Sequence, residues 1–389
     1  MLPYTSGALQ LGSTQSIRLK VAYYSTLSHG PTRERAASWP VPNELFDPEQ
    51  AVRAQEQYFA ECRLVDEMGF DWISIAEHHY SPSSLAPSIN VLGAALAQHV
   101  KRARIAILGA LLPLNNPIRI AEELAMVDLL SGGRLVAGLL RGAPYEYLVY
   151  NVAPAESRSR FEEAWDLIMT AWTDTQPFGW EGHHYQFRNV SIWPRPIQQP
   201  APPVIVSGSS KDSGEFAARK KVSLGLAFTT FDLASEAAAY YRERSEAWGW
   251  TPQPDNVLYR CQCYVAPTDE QAEADVRTPQ GGAGGIGGGI VNANRLVAMS
   301  GFFGARDANL TQRFSNLSHG APQTLQDQVK AGSLVCGSPE SVVAQIKRLN
   351  EGIGCGVIEL SFSAPAGPES KQRSLELFAT QVLPRVQQL

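Results

Sequence analysis

The spacing of apolar residues along the chain predicts strands that alternate with helices. In the clearest unit, residues 103–142, the apolar run ARIAILGALL precedes a helical pattern, and the apolar run RLVAGLL follows it. Continuous apolar runs are typical of strands that are buried on both faces of a parallel sheet. Pro117 suits the first position of the helix, and the Gly132-Gly133 pair suits its end. This order predicts a parallel strand pair with a right-handed crossover.

Eight apolar segments with strand character occur along the chain, and helical patterns separate most of them. They are IRLKVAYY at 17–24, FDWISIAEHHY at 70–80, the two runs already named, VIV at 204–206, LGLAFTT at 224–230, VLYRCQCYVAP at 257–267 and GVIELSF at 356–362. No break in composition divides the chain. We therefore predict one α/β domain over residues 1–389, a (β/α)8 TIM barrel with insertions, and not a doubly wound sheet.

Some segments do not fit the barrel repeat. Residues 1–16 have the composition of a loose polar extension, and residues 25–47 form a polar insertion that would lie over the active face of a barrel. The segment FGWEGHHYQFRNVSIWPRP, residues 178–196, is predicted to form a surface β-hairpin, because apolar and polar residues alternate in HYQFRNVSIW. Residues 278–323 contain a glycine-rich stretch without the strand and helix context of a phosphate-binding loop. We interpret this last segment as a lid-like insertion.

Charge and composition narrow the possible partners. The chain has 33 Lys and Arg against 38 Asp and Glu, a net charge of −5, and no basic run. This balance does not indicate nucleic acid or an anionic membrane surface as a partner. We find neither an uninterrupted apolar span of bilayer length nor the pattern of a signal peptide. The five cysteines have no C-x-x-C or zinc spacing, so we predict a cytoplasmic protein with reduced thiols and no metal.

Polar residues follow several of the predicted strands, where α/β folds place their ligand sites. Asn115 and Asn116 follow the third strand, Arg141 follows the fourth, and the sequence Glu77-His78-His79-Tyr80 ends the second. Adjacent histidines in a regular strand face opposite sides, which disfavours a shared metal ion. A histidine at this place suits proton transfer, although a structural histidine with a hydrogen bond in the core is the alternative.

The turn VSGSSK after the fifth strand precedes a helix. Ser207, Gly208, Ser209 and Ser210 therefore lie where free N–H groups and the helix dipole bind phosphate, and Lys211 adds positive charge. An ordinary capped helix start has the same composition, so the residues alone leave both interpretations open.

Several of these motifs together resemble the bacterial luciferase-like family of flavin-dependent monooxygenases. The matching parts are LPLNNPIRIAEE, the SGGRL turn, the strand end LLRG and the GFD…EHH strand, and the resemblance covers residues 17–265 and 335–385. It implies the TIM-barrel fold and an enzyme that uses reduced FMN and dioxygen. A C4a-peroxyflavin would oxygenate a small organic substrate, a separate reductase would supply the flavin, and the protein would be a homo-oligomer, either a dimer or a tetramer.

The resemblance also implies roles for particular residues. His78 would face the flavin ring as the catalytic proton shuttle, and Arg141 and Arg160 would hold the flavin phosphate. Arg158, half a turn from Arg160, could be mistaken for it. The implied cofactor-binding positions are Glu77, Gly109, Asn115, Arg141, Arg160, Ser207, Gly208, Ser209 and Ser210. Among them, Gly109 would let the ring approach closely, and Glu77 would support the loop or orient a neighbour.

One departure and three rival functions accompany this interpretation. Light-emitting members carry a reactive cysteine before the phosphate arginine, whereas this chain has Leu140, so light emission is not supported. The first rival is a deazaflavin-dependent oxidoreductase on the same fold. The second is a catalytically silent flavin-binding subunit. The third is a metal-dependent barrel hydrolase that uses His78, His79 and a distant carboxylate.

Overall fold

Eight parallel strands form a closed ring in the computed structural model, which describes residues 18–30, 39–227, 229–276, 324–365 and 367–389. The strands of the chain are β1 Lys20–Tyr24, β2 Trp72–Ile75, β3 Arg104–Leu111, β4 Leu135–Leu140, β5 Phe178–Glu181, β6 Gln186–Val190, β7 Val204–Ser207, β8 Ser223–Leu226, β9 Val257–Val265, β10 Leu334–Gly337 and β11 Val357–Phe362. The main sheet has the order β10-β9-β11-β1-β2-β3-β4-β7-β8, and β8 also pairs with β9. This closure confirms the predicted TIM barrel.

Helices follow the barrel strands and surround the sheet. Their bounds are α1 Pro48–Met68, α2 Ile89–His99, α3 Pro117–Ser131, α4 Ser157–Thr173, α5 Lys211–Lys220, α6 Phe231–Ala247, α7 Asp269–Val276, α8 Leu325–Lys330, α9 Pro339–Ile353, α10 Pro368–Leu377 and α11 Leu383–Val386. The predicted ends of α3 are confirmed, with Pro117 at its first position and Gly132 in the left-handed conformation at its C-cap. Within the described residues, none of the helices has both the length and the apolar character that a membrane span requires.

The sequence count omitted one strand of the main sheet. β10 pairs in parallel with β9 over Gln262–Val265, beyond the part of β9 that pairs with β8 over Val257–Tyr259. Its four residues, LVCG, lie directly before the Ser338 cap of α9, so they are too few to give a periodic signal. β10 therefore lengthens one edge of the barrel and does not change its count of eight.

Two further predictions concern the insertions and the last helix. The predicted hairpin is confirmed, because β5 and β6 pair antiparallel outside the barrel. The helical pattern from about Glu369 to Val386 predicts a single closing helix, whereas the structure has α10, a π-helical turn at Phe378–Val382 and α11. Pro384 explains the change, since it has no N–H to donate and its ring crowds the preceding turn. The predicted extension at 1–16 and the lid-like segment at 278–323 lie outside the described residues, as do positions 31–38 of the first insertion.

The strands have two buried faces, which explains their continuous apolar sequences. Val21 and Ile73 belong to a large outer core between sheet and helices, whereas Ala22, Trp72 and Leu258 belong to a small core inside the barrel. The alternation along each strand thus assigns one set of side chains to each core. All five cysteines are free and buried, and burial raises the pKa of the Cys62 thiol to about 12.

Asp66 on α1 holds the turn that leads into β3. Its carboxylate, 5% exposed, accepts hydrogen bonds from the backbone N–H groups of Lys101 (2.8 Å), Arg102 (3.1 Å) and Ala103 (2.6 Å). Buried N–H groups are costly to leave without an acceptor. Asp66 therefore fixes where β3 enters the barrel.

We expect Asp66→Ala to lower the free energy of unfolding by about 3 kcal/mol, because three N–H groups lose a charged acceptor. The side chain of the adjacent, exposed Glu67 makes no hydrogen bond to the described residues, so Glu67→Ala is a matched control that should change stability by less than about 0.5 kcal/mol. Urea unfolding followed by circular dichroism measures both variants. Equal stability of the two would contradict this role of Asp66.

Candidate active site

A ring of polar side chains follows the carboxyl ends of β2, β4 and β7. Because the barrel strands are parallel, these ends lie at the same mouth of the barrel, where TIM-barrel enzymes place their active sites. β4 pairs directly with β7, so Arg141 after β4 and Ser207 at the end of β7 come from adjacent strands. The structure thus places strand ends that are distant in sequence around one opening.

His78, after β2, is part of a small hydrogen-bonded group. Its Nδ1 lies 3.0 Å from Glu146 Oε1 and 3.3 Å from the Tyr145 hydroxyl, and that hydroxyl donates to the same Glu146 oxygen at 3.1 Å. Glu146 Oε2 accepts the backbone N–H of Ala143 at 2.8 Å. The His78 side chain is 33% exposed and the Glu146 side chain only 2%. The Nδ1 edge of this imidazole is therefore held by buried groups, while the rest of the ring remains partly accessible.

The described end of the first insertion covers this group. Trp39 packs edge-on against the Tyr145 ring at 4.9 Å between centroids and stacks on Tyr80 at 5.9 Å. Its indole N–H donates to the carbonyl of His79 at 3.0 Å. The insertion therefore contacts the barrel mouth, at the place predicted from the sequence, and shields the group from one side.

The second histidine has a separate partner. His79 Nε2 lies 3.1 Å from Glu77 Oε1, and both side chains are almost fully buried. Glu77 Oε2 accepts the backbone N–H of Leu111 at 3.3 Å. Glu77 and His79 thus connect the ends of β2 and β3. Within the described parts of the chain, no group of three His, Cys, Asp or Glu side chains is arranged to hold a metal ion.

The end of β3 has an unusual backbone at Gly109. The Leu108–Gly109 peptide bond is cis, and the register with β4 shifts between Leu108 and Ala110. A Cβ at position 109 would lie 2.5 Å from the carbonyl oxygen of Gly138, so only glycine fits there. Asn115, in the loop that follows, donates its side-chain N–H to the carbonyl of Leu111 at 2.9 Å and fastens that loop.

Arg141 and Arg158 both act electrostatically on one buried tyrosine, Tyr147. Burial raises the pKa of Tyr147, and the positive charges of Arg141 and Arg158 oppose that rise. Arg158 also reaches the start of α5, where its guanidinium lies 3.2 Å from Asp212. Arg141 is half-buried and makes no hydrogen bond to the described residues. Arg158 therefore lies at the first turn of α5, and Arg141 follows the strand that pairs with β7, the strand before that helix.

Arg160 does not join this pair. Its Nε donates to Glu156 at 3.1 Å, and it lowers the burial-raised pKa of Tyr185, which lies between β5 and β6. Arg160 thus faces the hairpin. The sequence favoured Arg160 over Arg158 as the second phosphate arginine, whereas the contacts in the structure bring Arg158 to the helix start.

The serines before α5 have different surroundings. Ser210 caps the helix, because its hydroxyl accepts the N–H of Ser213 at 3.1 Å. The hydroxyl groups of Ser207 and Ser209 make no hydrogen bonds to other described residues. Gly208 has φ +147, and a Cβ there would lie 2.4 Å from Ser213 Oγ, so the turn requires glycine. Lys211 lies over the Tyr240 ring at 5.6 Å, on the outer side of the helix.

A charged pair also lies inside the barrel, and the sequence analysis did not identify it. Arg260 on β9 bonds to Glu359 on β11, and its guanidinium lies 3.7 Å from the centroid of the Tyr24 ring. Glu359 Oε1 is buried without a hydrogen-bond partner within the described part of the chain. Each charge interrupts an otherwise apolar strand, and that interruption was the signal available in the sequence. Glu146 had a weaker signal, since it lies among aromatic residues without a periodic pattern.

Comparisons with known proteins agree with this architecture. The family model described as luciferase-like monooxygenase matches residues 41–355. The oxygenase component of the flavin-dependent trigonelline monooxygenase of Acinetobacter baylyi is 27% identical over 85% of this chain and 91% of its own. An uncharacterized protein of Sinorhizobium fredii is 35% identical, but the match spans only 39% of this chain and 45% of that protein.

Solved structures show the same fold. The oxygenating constituent of 3,6-diketocamphane monooxygenase from Pseudomonas putida, in complex with FMN, has a TM-score of 0.71 at 20% identity, over 94% of this chain and 98% of its own. An F420-dependent secondary alcohol dehydrogenase has a TM-score of 0.67 at 15% identity, over 95% and 99%. The family match extends over most of the barrel, from the first insertion to the start of β11, and the chain therefore belongs to the luciferase-like monooxygenase family.

Proposed function

We propose that this oxidoreductase uses reduced FMN and dioxygen to oxygenate a small organic substrate at the barrel mouth. The observation that carries the proposal is that three groups belong to one barrel mouth: a partly exposed His78 after β2, Arg141 after β4, and Arg158, which reaches the start of α5. This distribution suits a ligand with a reactive ring at one end and a phosphate at the other.

The donor set near α5 fits a flavin phosphate. Arg141 and Arg158 supply positive charge, and the Ser207 and Ser209 hydroxyls and the first N–H groups of α5 supply further donors. At the end of β3, the backbone of Gly109 packs closely against the Gly138 carbonyl oxygen and the Leu140 side chain, so this part of the mouth has a fixed shape against which a planar ring would lie. Reduced flavin, when bound, supplies the activation of dioxygen. In this proposal Asn115 and Glu77 do not contact the flavin. Asn115 stabilises the loop after β3, and Glu77 orients His79.

The protein's own groups orient the reactants and move a proton. The ring nitrogen of His78 opposite Glu146 makes no hydrogen bond to the described residues, so it is suited to give and receive a proton at the mouth. Trp39 limits access of water from the side of the first insertion. These roles need no metal ion.

An isotope experiment tests the proposed function. The protein is incubated with reduced FMN, ¹⁸O₂ and a panel of small organic compounds that includes trigonelline and cyclic ketones, and mass spectrometry measures ¹⁸O in the products. Incorporation of one ¹⁸O atom supports a monooxygenase. The fold is shared with an F420-dependent dehydrogenase. Tight binding of reduced F420 with anaerobic turnover would therefore favour the deazaflavin alternative.

The partners follow from the same proposal. The trigonelline relative is named as an oxygenase component, which supports a separate reductase for this chain as well. Five free, buried thiols are typical of a reducing compartment, so we propose a cytoplasmic location.

One face of α3 has exposed apolar side chains. Met126, Leu129 and Leu130 are 46–52% exposed, and α2 packs beside α3. We propose that this face joins two copies of the chain.

We expect Arg141→Ala to weaken binding of reduced FMN by about 1.5–3 kcal/mol, the range for hydrogen bonds to charged groups. Arg158→Ala should have a smaller effect of the same sign, because this side chain is 43% exposed and already paired. Arg160→Ala is the matched control and should leave FMN affinity unchanged. Titrations with reduced FMN and reduced riboflavin measure these effects, and riboflavin should respond to none of the variants. Loss of affinity in Arg160→Ala alone would restore the assignment made from the sequence.

We expect His78→Ala to retain affinity for reduced FMN and to lower kcat by about 100-fold, as is typical for a lost proton-transfer group. The substrate is the compound identified with ¹⁸O₂, at saturating concentration. His183→Ala, in the exposed turn of the hairpin, is the control and should keep the wild-type rate. A normal kcat in His78→Ala would remove His78 from the mechanism.

We expect the wild-type protein to be at least a dimer in size-exclusion chromatography with light scattering. The double variant Met126→Glu/Leu130→Glu should give monomers, because two charges would have to be buried at the proposed contact. Leu233→Glu changes an equally exposed apolar residue on α6 and should leave the assembly intact. A monomeric wild-type protein would contradict the proposed contact.

A further inference from the structure

We propose that Glu146 is a positioning residue that fixes the ring tautomer of His78, with the proton on Nδ1 and the free lone pair on Nε2. The catalytic role of this tautomer rests on the proposed function. The tautomer itself is a property of the protein without flavin. The proposal also assigns the opposite tautomer to the adjacent His79.

The hydrogen bonds around Glu146 require donors on every side. Its Oε2 accepts the Ala143 N–H, and its Oε1 receives the Tyr145 hydroxyl and faces His78 Nδ1 at 3.0 Å. Burial and the neighbouring Glu146 charge raise the pKa of Tyr145 far above its usual range, so the phenol keeps its proton and donates it. An ionised carboxylate only accepts, and therefore the Nδ1 atom of His78 must carry the proton in this contact.

The fixed proton determines which nitrogen works at the mouth. A neutral imidazole has one N–H donor and one lone pair, so a proton on Nδ1 leaves Nε2 as the acceptor. His78 Nε2 makes no hydrogen bond to the described residues, and the side chain is 33% exposed. Trp39 closes on Tyr145 from the other side, which reduces competition from water for Glu146. Glu146 thus leaves Nε2 of His78 with a free lone pair, so this ring accepts a proton at the mouth before it can donate one.

His79 provides an internal contrast. It contacts its own buried carboxylate, Glu77, through Nε2 and not through Nδ1, at 3.1 Å. Since Glu77 also accepts the Leu111 N–H, the same reasoning places the His79 proton on Nε2. Two neighbouring histidines, each with one buried glutamate, should therefore hold opposite tautomers. A shared environment effect would not produce that difference.

The test is a long-range ¹H–¹⁵N correlation spectrum of the histidine rings in the flavin-free protein. It is recorded about two pH units above the ordinary histidine pKa, where imidazoles are neutral. Only seven histidines are present, and His78→Gln and His79→Gln assign the two signals. We expect the Nδ1–H pattern for His78 and the Nε2–H pattern for His79. An Nε2–H pattern for His78 in the wild-type protein overturns the proposal without any variant.

Matched substitutions then identify the cause. Glu146→Gln preserves size but can present either an oxygen or an NH₂ to Nδ1, so His78 should move toward the Nε2–H form that an unconstrained imidazole prefers. His79 should stay unchanged and so report that the fold is intact. Glu77→Gln should show the reverse pattern, and Tyr145→Phe should leave His78 in the Nδ1–H form. Glu146→Leu offers Nδ1 no acceptor at all, and an unchanged His78 tautomer in both Glu146→Gln and Glu146→Leu overturns the assignment.

Turnover separates this inference from the proposed function. We expect Glu146→Gln to lower kcat about tenfold or more with unchanged affinity for reduced FMN, as substitutions that disturb the orienting partner of a histidine do. A tautomer change with a normal kcat would leave Glu146 as the residue that fixes His78 but would remove His78 from catalysis. The two failures are therefore distinguishable.

Discussion

The pairing of β8 with β9 closes the sheet, and the arrangement of the candidate site depends on that closure. Leu224 to Leu226 pair with Val257 to Tyr259 and bring the last strands of the barrel against the earlier ones. Without closure, the ends of β2, β4 and β7 would lie along an open edge and not around one mouth. The apolar side chains of two cores stabilise the closed form, because each strand buries residues on both faces.

Buried carboxylates organise the polar parts of this barrel. Glu77, Glu146 and Asp66 each have two or more donors, mostly backbone N–H groups or histidine rings. Charge is tolerated in such places because the hydrogen bonds replace the lost hydration. Glu359 differs, since it has Arg260 on one oxygen and, among the described residues, no partner on the other. The donors also fix the orientation of each carboxylate. Glu146 and Glu77, oriented in this way, then orient the rings of His78 and His79.

Arg158 and Arg160 illustrate how helix phase determines which neighbouring element a side chain contacts. Two residues along an α-helix are rotated by about 200°, so the two side chains leave α4 on nearly opposite faces. One face packs toward α5, where Arg158 meets Asp212. On the other face, Arg160 pairs with Glu156 in the turn before α4 and acts on Tyr185 of the hairpin. The sequence SRSR contains both arginines, but only the rotation of α4 about its axis determines which of them is near Arg141.

The sequence by itself determined the barrel, because its local signals all agree. Apolar runs, Pro117 at a helix start and Gly132 at a helix end are properties of neighbouring residues, and the eight barrel strands could be located from them. The positions of His78, Arg141 and the serines before α5 followed from strand ends in the same way. β10 was too short for such a signal, and Pro384 interrupted a helix whose apolar pattern otherwise continued.

Only the folded structure shows that Glu146 meets His78 across 68 residues of sequence and that Glu359 meets Arg260 across 99. Those contacts depend on strand register and loop closure, which local sequence patterns do not encode.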